Sequence, residues 1–446
     1  MQAAQAAFTS GPWAQMKPTA RGKLLRRFAA IMAQNADRLA EIETRDNGKL
    51  IAEMSAQCKY APEWFEYFGG LADKIEGAVI PIDKQDMFNF TRHEPLGVVA
   101  CIVPWNSPIL LLTWKLAPAL AAGNTIVIKP SEFASAAILE LVKLFEQAGF
   151  PPGVVNTVTG YGGEVGEPLC AHPLVRKIAF TGGDVAGRKV YEAAARDFKG
   201  VTLELGGKSP NIVFADANLD NAVKGAISGI FAATGQTCIA GSRLLVQKSI
   251  EKEFTSRLVE FAAKARMGDP KRFETQVGPV TTQQQHRRVV DYIDIAKQEG
   301  AKVLLGGGLP EDPAFGDGWF VQPTIFGSVN NRMRIAQEEV FGPVLSVIPF
   351  EDEDEAIAIG NDIDFGLAAG VWTSSIPKAF KMSEKLQAGI VWVNTYRAVS
   401  FMSPFGGYKA SGIGRESGQH AIFEFLQTKS VWISLSDQVA NPFILR

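Results

Sequence analysis

An α/β fold built on parallel sheets covered on both faces is predicted by three features of the chain. Between residues 98 and 205, apolar strand-like runs and helical patterns alternate every ~25 residues, the spacing of strand–helix–strand units. A second stretch of the same alternation follows Gly207. The residues with chemical character gather just after the strand ends, where open α/β sheets bind ligands. The totals agree. A chain of 446 residues suffices for two or three domains, and 46% hydrophobic with 21% charged residues is an ordinary globular balance.

Taken in order, residues 20–60 are expected to be helical, because basic and apolar residues alternate at helical spacing over 21–36, with a break at Asn47-Gly48. The aromatic stripe of Tyr60, Trp64, Phe65, Tyr67 and Phe68 predicts helix packing rather than a cofactor contact. Residues 77–95 read as two short extended pieces around Pro81 and Asp83, a β arm leaving the domain. The first set of strands is expected at 98–104, 125–129, 154–159, 177–181 and 201–205, with helices at 109–122, 135–149, 164–171 and 185–197. The second set is expected at 211–214, 243–246, 303–305, 344–348, 370–373 and 390–394, with helices including 250–265 and 281–299. Residues 306–318, rich in Gly, Pro and Asp, read as a surface loop. The acidic run 351–355 reads as a solvated helix start and 428–435 as a final strand.

The charge balance excludes several partners. With 45 basic and 47 acidic residues the net charge is −2, without the basic excess that nucleic acid or an anionic membrane requires. No apolar stretch reaches the ~18 residues of a membrane span, and no signal peptide is expected. Cys58, Cys101, Cys170 and Cys238 form no CxxC pair and fit no zinc spacing. A disulfide framework and a metal site are therefore not expected, and a reducing cytoplasm is. His93, His172, His286 and His420 lie far apart in sequence, which gives little support to a metal cluster or a Ser-His-Asp arrangement.

The chemistry centres on Gly235-Gln236-Thr237-Cys238-Ile239-Ala240-Gly241. A cysteine acts as a nucleophile only as thiolate, and an ordinary thiol is mostly protonated at neutral pH. A catalytic thiol needs open backbone, which the flanking glycines can supply, and surroundings that favour its anion. The alternative is a buried structural cysteine. Thirty-four residues earlier, Leu203-Glu204-Leu205-Gly206-Gly207-Lys208-Ser209-Pro210 sets a carboxylate between two leucines before a glycine pair. An acid there is costly unless paired or functional, so Glu204 is a candidate base for acyl transfer.

Cofactor signals are weaker. Gly160 to Gly166, which includes Gly162, is one residue too long for a dinucleotide fingerprint, and Gly412 to Gly418 shares that spacing away from any strand–helix turn. Phe180-Thr181-Gly182-Gly183-Asp184 follows a strand and opens a helix, so its N–H groups can meet a pyrophosphate. The alternative is an ordinary glycine-rich turn. In Lys129-Pro130-Ser131-Glu132, a lysine and a carboxylate can clasp ribose hydroxyls, or Ser131 can cap a helix with Glu132 in its first turn.

Seven stretches in order resemble the aldehyde dehydrogenase superfamily over nearly the whole chain: Pro104-Trp105-Asn106, Lys129-Pro130-Ser131-Glu132, Phe180-Thr181-Gly182, Glu204-Leu205-Gly206-Gly207-Lys208, Gly235-Gln236-Thr237-Cys238, Glu338-Glu339-Val340-Phe341-Gly342-Pro343 and Pro404-Phe405-Gly406-Gly407. The resemblance implies a Rossmann-like NAD(P) domain over 1–76 and 96–206, an α/β catalytic domain over 207–427, and a β oligomerisation arm from 77–95 and 428–446 that supports a homodimer or homotetramer. It implies that Cys238 attacks an aldehyde, that Asn106 and the Cys238 N–H hold the oxyanion, and that Glu204 activates water to release the acid without coenzyme A.

Lys115 and Glu416 match positions proposed to pass the proton outward, with a surface salt bridge as the alternative. Trp105, Gly162, Gly166, Gly183, Leu205, Gly206, Glu339 and Phe341 join the cofactor set by the same resemblance. Glu132 favours NAD by repelling a 2′-phosphate, while Ser131 leaves NADP use open. Ser107 stands where many relatives carry a bulky aromatic, which implies a wider or more polar tunnel lined also by Trp114, Ile239, Val399, Phe401 and Phe405. Arg397 falls in the loop at the tunnel mouth, either to attract a polar or carboxylate substrate end or as an exposed arginine. Residues 8–13 resemble a region that relatives reach several tens of residues later, so the family's N-terminal hairpin and the start of its first helix are expected to be absent. Rival readings are an NADP-preferring or semialdehyde-specific member and a silent scaffold, and Cys238, Glu204 and Asn106 argue against the scaffold.

Overall fold

Two open sheets organise the chain, of which the computed structural model describes residues 1–438 and 441–444. The first runs in the order Gly412–Ile413, Gly200–Glu204, Val175–Thr181, Val98–Ile102, Thr125–Lys129, Val155–Thr157. Its neighbours are parallel except Gly412–Ile413, which pairs antiparallel with Gly200–Glu204. The second runs in the order Ile390–Val393, Ala368–Trp372, Pro210–Val213, Arg243–Gln247, Val344–Phe350, Thr324–Gly327, Lys302–Leu305. Only Lys302–Leu305 is antiparallel there. Val98–Ile102 is buried at every position, as a strand covered on both faces requires.

The helix Pro108–Ala122 is buried along its entire length, so its sequence is apolar on all sides apart from Thr113 and Lys115. It ends at Gly123, whose φ of +100° gives the left-handed cap that glycine adopts without strain. Pro18–Gln34, Pro62–Leu71 and Ala136–Ala148 share an aromatic core: Phe28 stacks on Phe145 at 3.7 Å and meets Phe65 edge-on at 4.6 Å. The expected break at Asn47-Gly48 separates Ala36–Asn47 from Ile51–Tyr60, with Gly48 at φ +75°. No helix among the described residues is long and apolar enough to cross a membrane.

The arm is a two-stranded ribbon. Met87–Pro95 runs antiparallel to Leu426–Ser434, with Met87 opposite Ser434 and Pro95 opposite Leu426. Residues 439, 440, 445 and 446 of the expected arm lie outside the described residues. Two of the elements that differ from expectation bear on the sheets. The helix expected over 164–171 opens earlier, as a π-helical turn Gly162–Gly166 before Glu167–Ala171, because its glycines tolerate the wider turn. The strand Thr324–Gly327 was not expected: four residues between Pro323 and Ser328 carry too short a pattern, yet the strand is buried throughout.

Glu43, on Ala36–Asn47, is buried with Oε1 lacking a partner and Oε2 facing the Cys58 thiol at 3.9 Å. Burial pushes its pKa up to about 8. A group whose folded pKa lies above its unfolded value lends stability at low pH and loses it as pH rises through the folded value. Glu43→Gln is therefore expected to raise Tm over wild type by several degrees at pH ~9 and by less at pH ~5.5. Equal Tm differences at both pH values would refute this linkage.

Candidate active site

Strand Gly200–Glu204 carries Glu204 at its carboxyl end, and the following glycine pair turns the chain against the nucleophile. A Cβ on Gly207 would lie 2.5 Å from the Cys238 carbonyl oxygen, and one on Gly206 would lie 2.3 Å from Glu339 Oε2. Only glycine permits both approaches. Cys238 follows the turn Ala232–Gly235, in which Ala233, Thr234 and Gly235 take φ of +55°, +53° and +69°. Non-glycine residues in that region are strained, and such strain gathers at functional sites.

The glycines flanking Cys238 have a different purpose from the one expected. A Cβ on Gly235 would sit 1.9 Å from the Gly342 carbonyl oxygen, and one on Gly241 would sit 2.8 Å from the Tyr396 hydroxyl. They seat the nucleophile loop against protein rather than opening it to substrate. Asn106, buried, donates from Nδ2 to the Gln236 carbonyl at 3.1 Å, which holds its amide beside the loop. One N–H of that amide remains for another acceptor.

The electrostatics also depart from expectation. Cys238 is half-buried, and its thiol is pushed up to about 12 by desolvation and by the carboxylates of Glu339 and Glu204. The backbone N–H groups of Ile239 and Cys238 act the other way. The surroundings thus favour the thiol in the free protein, not the thiolate. Glu339 itself is raised to about 7 by burial, against the hydrogen bond that Gly207 N–H donates to Oε1 at 2.9 Å. Removing this negative charge must ease ionisation of the thiol. Glu339→Gln is expected to speed alkylation of Cys238 by iodoacetamide at pH ~8 by about three- to tenfold. An unchanged or slower reaction would contradict this account.

Glu204 is buried and neither carboxylate oxygen has a partner among the described residues. Burial and the nearby Glu416 hold its pKa well above the carboxylate range, opposed by Lys115 and Arg415. Gly406 makes room for it, since a Cβ there would lie 2.9 Å from Glu204 Oε1. Lys115 Nζ donates to Thr181 Oγ1 at 2.6 Å and to Glu416 Oε1. With side chains 0% and 3% exposed, Lys115 and Glu416 form a buried ion pair, which overturns the surface salt bridge alternative.

The expected cofactor residues line the carboxyl ends of the first sheet. Trp105 meets the ring of Phe341 edge-on at 5.4 Å. Phe341 has φ +58°, a strained value for a bulky residue, and its carbonyl accepts from Gln285 Nε2 at 3.0 Å. Lys129 Nζ reaches Glu132 Oε2 at 3.2 Å, and its stem passes Gly166. Ser131 caps no helix: its Oγ accepts from Phe133 N–H in a turn, and the helix begins at Ala136. Thr181 ends its strand, and Gly183 is the N-cap of Asp184–Arg196. Phe180 and Leu205 pack beneath, against Gly182 and Gly187. A Cβ on Gly162 or Gly183 would meet nothing within 4 Å, so this face has room for a ligand.

The tunnel residues converge in part. Trp114 tilts against Phe405 at 4.7 Å, and a cavity of about 30 Å³ lies between Trp114, Val399, Phe405 and Ser417. Ile239 is buried, its carbonyl accepting from the Tyr396 hydroxyl at 3.0 Å. Arg397 is not freely exposed: its side chain is 21% exposed and its guanidinium is 4.0 Å from Glu53. Three residues were not foreseen. Tyr60 and Trp64 contact Phe401 at 6.1 and 5.8 Å, and Trp64 stacks on Trp114 at 5.7 Å, so one face of the aromatic stripe packs behind these residues. The spacing 60, 64, 67 within that stripe was the available signal. Lys49, the third, donates to Ser107 Oγ at 3.1 Å.

Comparison with known proteins identifies the family. The model of the aldehyde dehydrogenase family matches residues 1–431. A (Z)-2-((N-methylformamido)methylene)-5-hydroxybutyrolactone dehydrogenase of Acinetobacter baylyi is 47% identical over 449 residues, covering 100% of this chain and 91% of its own. A betaine aldehyde dehydrogenase of Mesorhizobium japonicum is 47% identical, covering 97% and 88%. Among solved structures, betaine aldehyde dehydrogenase of Staphylococcus aureus in complex with NAD+ superposes with a TM-score of 0.97 at 41% identity, covering 99% of this chain and 88% of its own. On the matched family model and these relatives, the chain belongs to the aldehyde dehydrogenase family.

Proposed function

We propose that this protein oxidises an aldehyde to its carboxylic acid with NAD, and that Cys238, Glu204 and Asn106 carry the reaction. The single observation behind it is the meeting of a half-buried thiol, an orphaned buried carboxylate and a held amide around one loop. Cys238 attacks the carbonyl carbon and forms a thiohemiacetal. The free Asn106 N–H and the Cys238 backbone N–H receive the oxyanion, and donors so placed are worth about 10²- to 10³-fold in rate. The cofactor, when bound, supplies the hydride acceptor. A thioester remains on Cys238, and Glu204 takes a proton from the water that hydrolyses it. Burial and the nearby Glu416 raise the Glu204 pKa, which makes its carboxylate a stronger base than an exposed one. Lys115 and Glu416 pass that proton away from the site.

Lys129 and Glu132 would hold the adenosine ribose, Glu339 the nicotinamide ribose, and the N-terminus of Asp184–Arg196 the pyrophosphate. The carboxylate of Glu132 disfavours a 2′-phosphate, and relatives solved with NAD+ support the same preference. Residues 1–76 and 96–206 form the cofactor domain, 207–427 the catalytic domain, and the ribbon an arm joining copies into a homodimer or homotetramer. The four cysteines are all free thiols, in keeping with a reducing cytoplasm.

The test is NADH formation by the purified protein with neutral, aromatic, cationic and ω-carboxylate aldehydes, using NAD or NADP. One acid formed per NADH, without coenzyme A, and faster turnover with NAD are expected. Silence with every aldehyde would overturn the proposal.

A further inference from the structure

Lys49 is only 3% exposed, yet among the described residues its ammonium donates to one acceptor, Ser107 Oγ at 3.1 Å, and has no carboxylate within ion-pair distance. An ammonium carries three N–H donors, and a buried charge is costly unless it is paired. Four of the other five buried lysines follow that rule. Lys115 pairs with Glu416, Lys129 with Glu132, Lys177 with Glu424, and Lys199 with Asp197 and two carbonyls. Lys208 shares the unpaired state, but it borders a cavity of only about 10 Å³ among Pro210, Gly360, Leu367 and Leu386, away from the tunnel.

Lys49 sits elsewhere. Ser107 directly follows Asn106. Burial lowers the Lys49 pKa, and the titratable groups that act on it are Glu53, Arg397, Glu43 and Cys238. Glu43 holds its proton up to about pH 8. Glu53 is the other carboxylate among them. It accepts from Ala233 N–H at 2.7 Å and faces Arg397 at 4.0 Å, so it is already shared. Two cations against one carboxylate leave a positive surplus beside the nucleophile.

We infer that Lys49, with Ser107 and supported by Arg397, is an anion-binding subsite of the tunnel, and that the substrate is an aldehyde bearing a carboxylate. The inference rests on the aldehyde-oxidation reading and names its substrate class. The two idle N–H donors of Lys49 and the Ser107 hydroxyl bind the carboxylate. Phe401 packs against the aliphatic link. The same surplus charge repels a cationic aldehyde.

The test compares 4-oxobutanoate, butanal and trimethylammonioacetaldehyde. The wild-type kcat/KM is expected to rank them in that order. Lys49→Met is expected to lower the ratio of kcat/KM for 4-oxobutanoate to that for butanal by about 10- to 100-fold, chiefly through KM. A second measurement needs no variant: succinate is expected to slow iodoacetamide alkylation of Cys238 in the wild-type protein, while succinamide does not. A wild-type preference for butanal or for the cationic aldehyde, or an unchanged ratio in a folded Lys49→Met protein, overturns the inference. Equal effects of succinate and succinamide overturn it as well. Loss of turnover with all three aldehydes would count against the oxidation reading alone, and succinate protection would still report on Lys49.

Discussion

Replacing Cys238 by alanine is expected to lower kcat/KM for every aldehyde by about 10⁴-fold or more, because no other group of the chain can form the covalent adduct. Cys58, Cys101 and Cys170 are buried, and burial pushes the thiols of Cys101 and Cys170 up to about 12 and about 11. Asn106 would still polarise the carbonyl, but without a thiohemiacetal an aldehyde carbon has no hydride to give at a useful rate. The variant should still bind NAD, measured by quenching of tryptophan fluorescence, since the substitution leaves Lys129, Glu132 and the N-terminus of Asp184–Arg196 unchanged. Turnover within tenfold of wild type would remove Cys238 from the mechanism.

Glu204→Gln should separate the two halves of the reaction. Glutamine has the shape of the protonated acid, and the carboxylate oxygens have no partners to lose, so the fold should tolerate it. Thiohemiacetal formation and hydride transfer do not need water, whereas thioester hydrolysis does. The variant is therefore expected to release about one NADH per site in a rapid burst, then turn over ~10²- to 10⁴-fold more slowly than wild type. Mass spectrometry should find the acyl group on Cys238. If the first NADH is as slow as the later ones, Glu204 acts before hydride transfer and its assignment to hydrolysis fails.

The parallel strands were legible because burial on both faces writes a continuous apolar run, as in Val98–Ile102. Thr324–Gly327 was not, because its place depends on the strands Val344–Phe350 and Lys302–Leu305 rather than on its own four residues. Cys238, Glu204 and Asn106 could be proposed from their motifs. Their electrostatics could not. The thiol is raised by burial and by the carboxylates of residues 339 and 204, and no local pattern encodes that meeting. The glycines beside Cys238 were misread for the same reason, since Gly235 answers to Gly342. Lys49 looks like an ordinary lysine after a turn, and its significance exists only once Ser107 is folded against it.

The edge strand Gly412–Ile413 carries a further consequence. It pairs with Leu203 and Glu204 themselves, and Ser411 bonds Leu205 N–H and, through its hydroxyl, the Gly206 carbonyl. The segment that fixes the Glu204 carboxylate is therefore made about 200 residues after the strand it flanks. A nascent chain can assemble most of the first sheet early, but the strand Gly200–Glu204 keeps an open flank until residues 411–413 have been made. A polypeptide that stops short of them holds that carboxylate unfixed.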